Sequence, residues 1–487
     1  MQRKITIDPV TRVEGHGKVT IKLDEYNNVQ HARLHIVEFR GFERFIQGRP
    51  YWEAPVLVQR LCGICPVSHH LAASKALDVI VGASDCGAPT VTSEKIRRLM
   101  HYGQFFQSHT LHFFHLVSPD LIFGVDAEPA KRNIAAVAME NPELAKQAVL
   151  MRKYGQEIIA LTAGKKVHGT GSIAGGVNKA ITPEQQRYFI EGDESAHLPS
   201  IDQIIDWSLG ALDFFKDYHQ SHRDLIDNFA YYPSNHLSLV NADGGFDIYH
   251  GNIRAVDPEG KRILDDISYH DYTDHIVEEV KSWSYMKFPY IKKLGKEKGW
   301  YRVGPMARLA TCDHIPTPLA QKAFEEYRDY GGNLPHANTM HMHWARLIET
   351  LHAAEMMKML LNDPDLTGSD LQATGTKASN GVGVIEAPRG TLFHHYQIDD
   401  DDLITMCNLI VSTTQNNTPM NEAVEWVAHN IIQGNEHIPE SMLNQVEVAI
   451  RAYDPCLSCA THAMGKMPLH ISLEDANGKL LDERFKD

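Results

Sequence analysis

Arg60-Leu61-Cys62-Gly63-Ile64-Cys65-Pro66-Val67-Ser68-His69 near the amino end and Asp454-Pro455-Cys456-Leu457-Ser458-Cys459-Ala460-Thr461-His462 near the carboxyl end decide how this chain is read. Each holds a Cys-x-x-Cys turn. Such a turn sets two sulfurs on one side of the backbone, where neighbouring amides lower the cost of holding thiolates. The ligand pairs of a local zinc knuckle lie only a few tens of residues apart. Here most of the chain separates the pairs, so a shared metal would be clamped by the whole fold. Soft sulfur favours zinc, iron clusters, copper(I) or nickel over magnesium, and four sulfurs alone leave a structural zinc open.

Length and composition bound the rest. A chain of 487 residues suggests about two to four domains by size alone, but a site fed from both ends predicts one intertwined unit. Apolar residues at 43% and charged residues at 22% are the proportions of a soluble globular protein, which excludes a disordered chain. A net charge of −15 argues against nucleic acid or an anionic membrane as the main partner, since both demand a basic surface. No apolar run of about 18 residues predicts a transmembrane segment, and the start at Met1-Gln2-Arg3-Lys4 lacks a signal-peptide stretch, so the cytoplasm is the expected address. Seven cysteines, two pairs plus Cys86, Cys312 and Cys407, read as thiol chemistry in a reducing compartment. The last three are expected to be buried small apolar side chains.

Along the chain, Val19, Ile21, Leu23 and then Leu34 and Ile36 alternate with polar residues around Asn27-Asn28, which predicts a hairpin. From Cys65 onward three-and-four spacing predicts helices over residues 69–81, 93–117, 204–229, 344–361, 403–411 and 441–452, with Ser93 as a helix start. Residues 241–305 read as a β-containing surface insertion. The run Asp399-Asp400-Asp401-Asp402 reads as a solvated helix start, and the segment around Asn477-Gly478 as a small terminal hairpin. The sum is a mainly α chain with small β regions, an α+β fold.

The two cysteine segments closely resemble the nickel-ligating motifs of [NiFe] hydrogenase large subunits, Arg-x-Cys-Gly-x-Cys-x-x-x-His and Asp-Pro-Cys-x-x-Cys-x-x-His. Arg12-Val13-Glu14-Gly15-His16-Gly17, Arg40-Gly41-Phe42-Glu43 and Glu386-Ala387-Pro388-Arg389-Gly390 resemble three further elements of that family, so the likeness spans essentially the whole chain. Residues 66–75 and 456–463 look most like its cytoplasmic, bidirectional, NAD-linked branch. The implied fold is a central bundle of long helices with an amino-terminal β-hairpin.

The resemblance implies Cys62 and Cys456 as terminal nickel ligands, and Cys65 and Cys459 as bridges to an iron carrying carbon monoxide and cyanide. It implies Glu14 as first proton acceptor and Arg389 as the cation over the metals. His69, four residues after Cys65 on a starting helix, is expected to donate to that cysteine's sulfur. Ser412 is expected to donate to a cyanide, with a bond to a backbone carbonyl as its other reading. Glu43 and His462, completed by backbone oxygen and water, would hold magnesium. Ser108 stands where many periplasmic relatives have Asp, which puts their Asp–Arg pairing in question here.

With His462 as the mature terminus, residues 1–462 form a single domain, and residues 463–487 a propeptide removed by a maturation endopeptidase. The implied reaction is reversible heterolytic cleavage of H2. The chain has no Gly-x-Gly-x-x-Gly fingerprint in a convincing strand-to-helix setting and no spare cysteine set for iron–sulfur clusters. Electrons would therefore leave through an iron–sulfur small subunit and a flavin-containing diaphorase to NAD. The rival reading is the hydrogenase-like quinone-site subunit of a respiratory complex, which shares the fold but carries no metal centre.

Overall fold

The periodic stretches form helices whose ends the sequence explains. Pro66 opens α1 (Pro66–Ile80) directly after Cys65, at a first-turn position where its missing N–H costs nothing. α2 (Val91–Leu111) is capped by Thr90: its hydroxyl accepts from Ser93 N while the Ser93 hydroxyl accepts from Thr90 N. The helix therefore starts just before Ser93, which serves the cap, and it runs on through a π turn, His112–Val117. α3 (Pro142–Ala163), α4 (Ile201–Ser221), α5 (His341–Leu361) and α6 (Glu440–Arg451) follow. The stretch 204–229 divides at His222, beyond which a short helix, Arg223–Asn228, takes over. This is the structure in a computed structural model, which describes residues 3–461, 469–475 and 479–486.

Helices α3, α2, α5 and α4 pack side by side in that order, burying Leu99, Phe106, Ile158, Leu347, Leu351 and Phe215 in one core. Each such side chain contributes about 1.5–3 kcal/mol by leaving water. α2 and α3 cross at paired glycines. A Cβ on Gly155 would stand 2.7 Å from Gly103 O, and one on Gly103 would stand 2.7 Å from Ile158 Cγ2. Two glycines cost helix propensity of about 1 kcal/mol each, and close backbone contact is what they allow in return.

The sheets are small. β1 (Arg3–Ile7), β2 (Gly17–Leu23) and β3 (Val29–Ile36) form an antiparallel sheet in that order, so the expected hairpin is β2–β3 with a third strand added. β4 (Asn235–Val240), β5 (Asn252–Val256), β6 (Arg262–Ile267) and β7 (Tyr301–Arg302) form a second sheet in the order β7-β4-β5-β6. β8 (Asn380–Ala387), β9 (Gly390–Ile398) and β10 (Ile404–Ile410) form a third, with α1 lying across β8 and β9. The terminal hairpin pairs Leu469–Glu474 with Leu480–Lys486 as expected.

Four expectations are corrected. Residues 241–305 are no surface insertion: Ile253, Ala255 and Leu264 share a buried core with Val382, Val384 and Phe393. Gly244, Gly245, Asp257 and Gly260, which suggested exposure, lie in the turns between those strands. Residues 403–411 are strand β10, not helix, and the acidic run before it is a hairpin turn, in which Asp399 Oδ1 accepts from Asp401 N and Leu403 N. β-Branched residues and a partner strand outweigh a short helical spacing. Cys312 and Cys407 are buried as expected, but Cys86 is exposed, in a polar turn where Ser84 Oγ accepts from Cys86 N and Ala88 N.

Arg308, on the helix Pro305–Thr311, joins two layers. It reaches both carboxylate oxygens of Glu349 on α5 at 2.6 Å and Glu386 Oε2 on β8 at 2.9 Å, with all three side chains excluded from solvent. Removing one partner of such a set strands charge in a low dielectric. Arg308→Ala should therefore cost roughly 3–5 kcal/mol, read as a lowered midpoint in denaturant unfolding, whereas exposed Lys358→Ala, which breaks only the surface pair with Asp202, should cost under about 1 kcal/mol.

Candidate metal centre

The first cysteine pair sits between two helical elements: the 3-10 turn Val58–Leu61 ends at Cys62, and Cys65 precedes α1. Ile64 N and Cys65 N point at Cys62 Sγ, at 3.2 and 3.4 Å, which is how a Cys-x-x-Cys turn supports a thiolate. The second pair follows α6. Its backbone is held by Thr413, whose Oγ1 accepts from Cys456 N at 2.9 Å.

What unites the pairs is the loop between β1 and β2. Glu14 forms a parallel β-bridge with Cys456, Leu457 N donates to Glu14 O at 3.0 Å, and Ser458 N donates to Glu14 Oε2 at 3.0 Å. Gly15 makes this possible. It has φ 85°, and a Cβ there would stand 2.8 Å from both Leu457 Cβ and Ser458 N, so only glycine permits the approach.

The four sulfurs are buried and lie within 4.8 Å of one another. Cys456 Sγ is 3.2 Å from Cys62 Sγ and 2.9 Å from Cys459 Sγ, and Cys65 Sγ is 3.4 Å from Cys459 Sγ. Hydrogen bonds from Cys456, Cys459 and Cys65, reinforced by the field of Arg389, hold the Cys62 thiol well below its ordinary range. Burial pushes Cys456 and Cys459 well above theirs. A soft cation would displace those protons. The cradle fits one: four convergent sulfurs, and on the same pocket wall the buried Ser68 hydroxyl, which has no hydrogen-bond partner.

Arg389, at the turn between β8 and β9, lies against the sulfurs. Burial disfavours its charge, but Asp454 and the cysteines hold it firmly protonated. Its Nε donates to Asp454 O at 2.6 Å and its Nη2 to Asp454 Oδ1 at 3.0 Å. Nη1 stands 3.4 Å from Ser108 Oγ. Ser108 therefore still meets Arg389, while the carboxylate comes from Asp454, a residue inside the quoted motif that sequence reasoning passed over. Burial, then the neighbouring Cys62, raise the Glu14 carboxyl above its ordinary range.

His69 does reach a sulfur, but its Nε2 is 3.3 Å from Cys459 Sγ, not at Cys65. Helix geometry aims the fourth residue back over the first turn, and there the C-terminal segment intervenes. Behind it Nδ1 meets His394 Nε2 at 3.1 Å, and His394 Nδ1 meets Tyr396 OH at 2.6 Å, a relay with no sequence signal beyond alternate positions of β9. Ser412 lines the same pocket, and its hydroxyl donates to Gly390 O at 2.6 Å, the backbone-carbonyl reading. Glu43, on the one-turn helix Phe42–Phe45, accepts from Leu409 N at 2.8 Å, and burial lifts its carboxyl to about 6. His462 lies outside the described residues. Its neighbour Thr461 is gripped by Arg40 N and Gly41 N, which donate to Thr461 O at 3.0 and 3.2 Å.

Buried sulfurs supplied by both ends of the chain, faced by a carboxyl and a guanidinium, define a metal-dependent redox protein. A family model described as nickel-dependent hydrogenase matches residues 40–148 and 247–462, and one described as HoxL-like matches residues 4–39. The NAD-reducing hydrogenase HoxS subunit beta of Cupriavidus necator is 51% identical over 100% of both chains. A crystal structure of an NAD+-reducing [NiFe]-hydrogenase in the H2-reduced state superposes with a TM-score of 0.90 at 51% identity, covering 94% of this chain and 99% of that one. A [NiFeSe]-hydrogenase of Dm. baculatum, 23% identical with a TM-score of 0.74 over 95% of this chain and 100% of that one, shares the fold. The chain belongs to the nickel-dependent hydrogenase family, and the metal-free quinone-site alternative falls away.

Gly15→Ala tests the closure without touching a donor atom. Elemental analysis of the purified complex should show nickel reduced in the variant, whereas Gly210→Ala on α4, where the backbone is helical and a Cβ meets nothing within 4 Å, should retain it.

Proposed function

We propose that this chain is the catalytic large subunit of an NAD-reducing [NiFe] hydrogenase, cleaving H2 reversibly to two protons and two electrons. The observation that carries the proposal is the meeting of Cys62, Cys65, Cys456 and Cys459 within 4.8 Å, against Glu14 and Arg389. Cys62 and Cys456 hold nickel as terminal ligands. Cys65 and Cys459 would be ligands shared by nickel and an iron carrying carbon monoxide and cyanide, with Arg389 and Ser412 lining the same pocket. A nickel–iron pair bound there supplies the electrophile and electron acceptor that apolar, uncharged H2 requires.

The chain's own groups do the rest. Glu14 takes the proton. Burial and the neighbouring Cys62 raise its carboxyl above the ordinary range, which strengthens it as a base, and its Oε2 is already fixed by Ser458 N. Arg389 keeps a rigid positive charge beside the sulfurs, made permanent by Asp454. His69 donates to Cys459, and the His394–Tyr396 relay behind it fixes its tautomer.

Glu43 and His462 bind Mg2+ beside the centre and anchor the end of a mature domain, residues 1–462. Residues 463–487 are a propeptide cut by a maturation endopeptidase. Electrons pass to an iron–sulfur small subunit and through a flavin diaphorase to NAD+, which takes two electrons and one proton to become NADH. The assembly is a hetero-oligomer of the cytoplasm. No described helix is long and apolar enough to cross a membrane.

Glu14→Gln preserves size and the Ser458 contact but removes the base. Exchange between H2 and D2O should fall about 10²- to 10⁴-fold with nickel content unchanged; full exchange in the variant would remove Glu14 from the mechanism. Infrared spectra of the active complex should show carbon monoxide and cyanide bands, and intact mass should place the terminus of the active chain at His462. A nickel-loaded, active chain that still carries residues 463–487 would overturn the propeptide reading.

A further inference from the structure

The second cluster of metal-ligating side chains among the described residues lies outside the centre. His219 at the end of α4, Asp227 on the short helix Arg223–Asn228 and His341 at the start of α5 bring their ligand atoms within 4.8 Å of one another. Both His219 Nε2 and His341 Nε2 point at Asp227 Oδ1, at 2.8 and 3.1 Å, and Tyr330 OH donates to Asp227 Oδ2 at 2.5 Å. His219 and His341 are buried at 3% and 2% exposure, while Asp227 and His341 also border a surface cleft of about 440 Å³. His219 and Asp227 fall in residues 149–246, between the two segments that the nickel-dependent hydrogenase model matches, so the cluster is not part of the family's shared centre.

The proton count singles it out. His336 Nε2 is 2.9 Å from Tyr327 O, a carbonyl that only accepts, so this nitrogen carries the proton and His336 Nδ1 is bare. If His341 Nε2 likewise donates to Asp227, its Nδ1 is bare too. Yet the two Nδ1 atoms face each other at 2.6 Å, a hydrogen-bond distance with no hydrogen. Protons alone resolve this in two ways: an imidazolium on a buried ring, which costs desolvation, or a protonated Asp227, which burial favours but the hydrogen bonds from Tyr330 and His219 outweigh, holding its carboxyl below the ordinary range. A cation on His341 Nε2 resolves it without that charge. The proton moves to His341 Nδ1 and donates to His336 Nδ1, and His336 Nε2 continues to Tyr327 O. That is the outer relay that metal-bound histidines characteristically have.

We propose that His219, Asp227 and His341 form a second metal site, separate from the cysteine centre, that takes a borderline divalent cation of the Zn2+ class. Two imidazoles and one carboxylate make three of the four positions such an ion takes, and the cleft gives water access to the fourth. The ion staples α4 and its following helix to α5, the helix that carries Glu349 of the Arg308 network. His336 is a positioning residue that orients His341.

The purified complex, freed of loosely bound metal by dialysis against a chelator, is titrated with Zn2+ alone by equilibrium dialysis. One equivalent is expected to bind in the wild type. His219→Ala with His341→Ala should abolish it, and His336→Ala should weaken it about 10- to 100-fold, with nickel content and H2 oxidation unchanged in each. Anomalous scattering at the zinc edge from wild-type crystals should place the ion between the three side chains, which decides the matter even where a variant fails to fold. No scattering peak there, or undiminished binding in the double variant, overturns the proposal.

Discussion

The structure depends on a short parallel contact between the first loop of the chain and one of its last turns. Glu14 and Cys456 pair as in a strand, and Leu457 and Ser458 both donate to Glu14. Few bonds are involved, and each backbone hydrogen bond is worth only about 1 kcal/mol net. Their effect is geometric. They fix the second cysteine pair together with Thr413, which accepts from Cys456 N, and Arg389, which donates to Asp454. The contact also puts the Glu14 carboxyl against the second pair, so carboxyl and sulfurs are positioned by the same few bonds.

Around that seam the protein buries much charge; Lys75, Arg302 and Arg346 rest on backbone carbonyls, and other cations meet carboxylates. Arg389 has Asp454, Arg308 has Glu349 and Glu386, Arg97 has Asp78, and Arg451 has Asp120. Matched ions in a dry interior contribute modestly to stability, since desolvation offsets much of their attraction. They do select among arrangements: each guanidinium fork accepts its carboxylate in one geometry only. The layers of helix and sheet that meet at the centre are therefore keyed together by directional contacts, while the apolar cores behind them supply the bulk of the driving force.

Much of this was legible in the residues. The cysteine turns, the Arg-Val-Glu-Gly element and the long periodic helices announce themselves because each is a local pattern with one mechanical reading. The misreadings share a cause as well. Residues 403–411 were ambiguous because a short, mostly apolar run fits helix and strand alike, and only a partner strand decides. His69 met the farther sulfur because the competing segment arrives from the other end of the chain, which no spacing near Cys65 encodes. Asp454, Thr413 and the His394–Tyr396 relay were invisible for the same reason: their roles exist only across tertiary contacts. The His219 cluster draws on three helical elements and had no motif at all.

The grip of Arg40 and Gly41 on Thr461 O, next to the Glu14 seam, fixes an order of events. A ribosome makes Cys62 and Cys65 early and Cys456 and Cys459 almost at the end. The emerging polypeptide thus carries half a nest through nearly all of its synthesis, and a prematurely terminated product can never complete it.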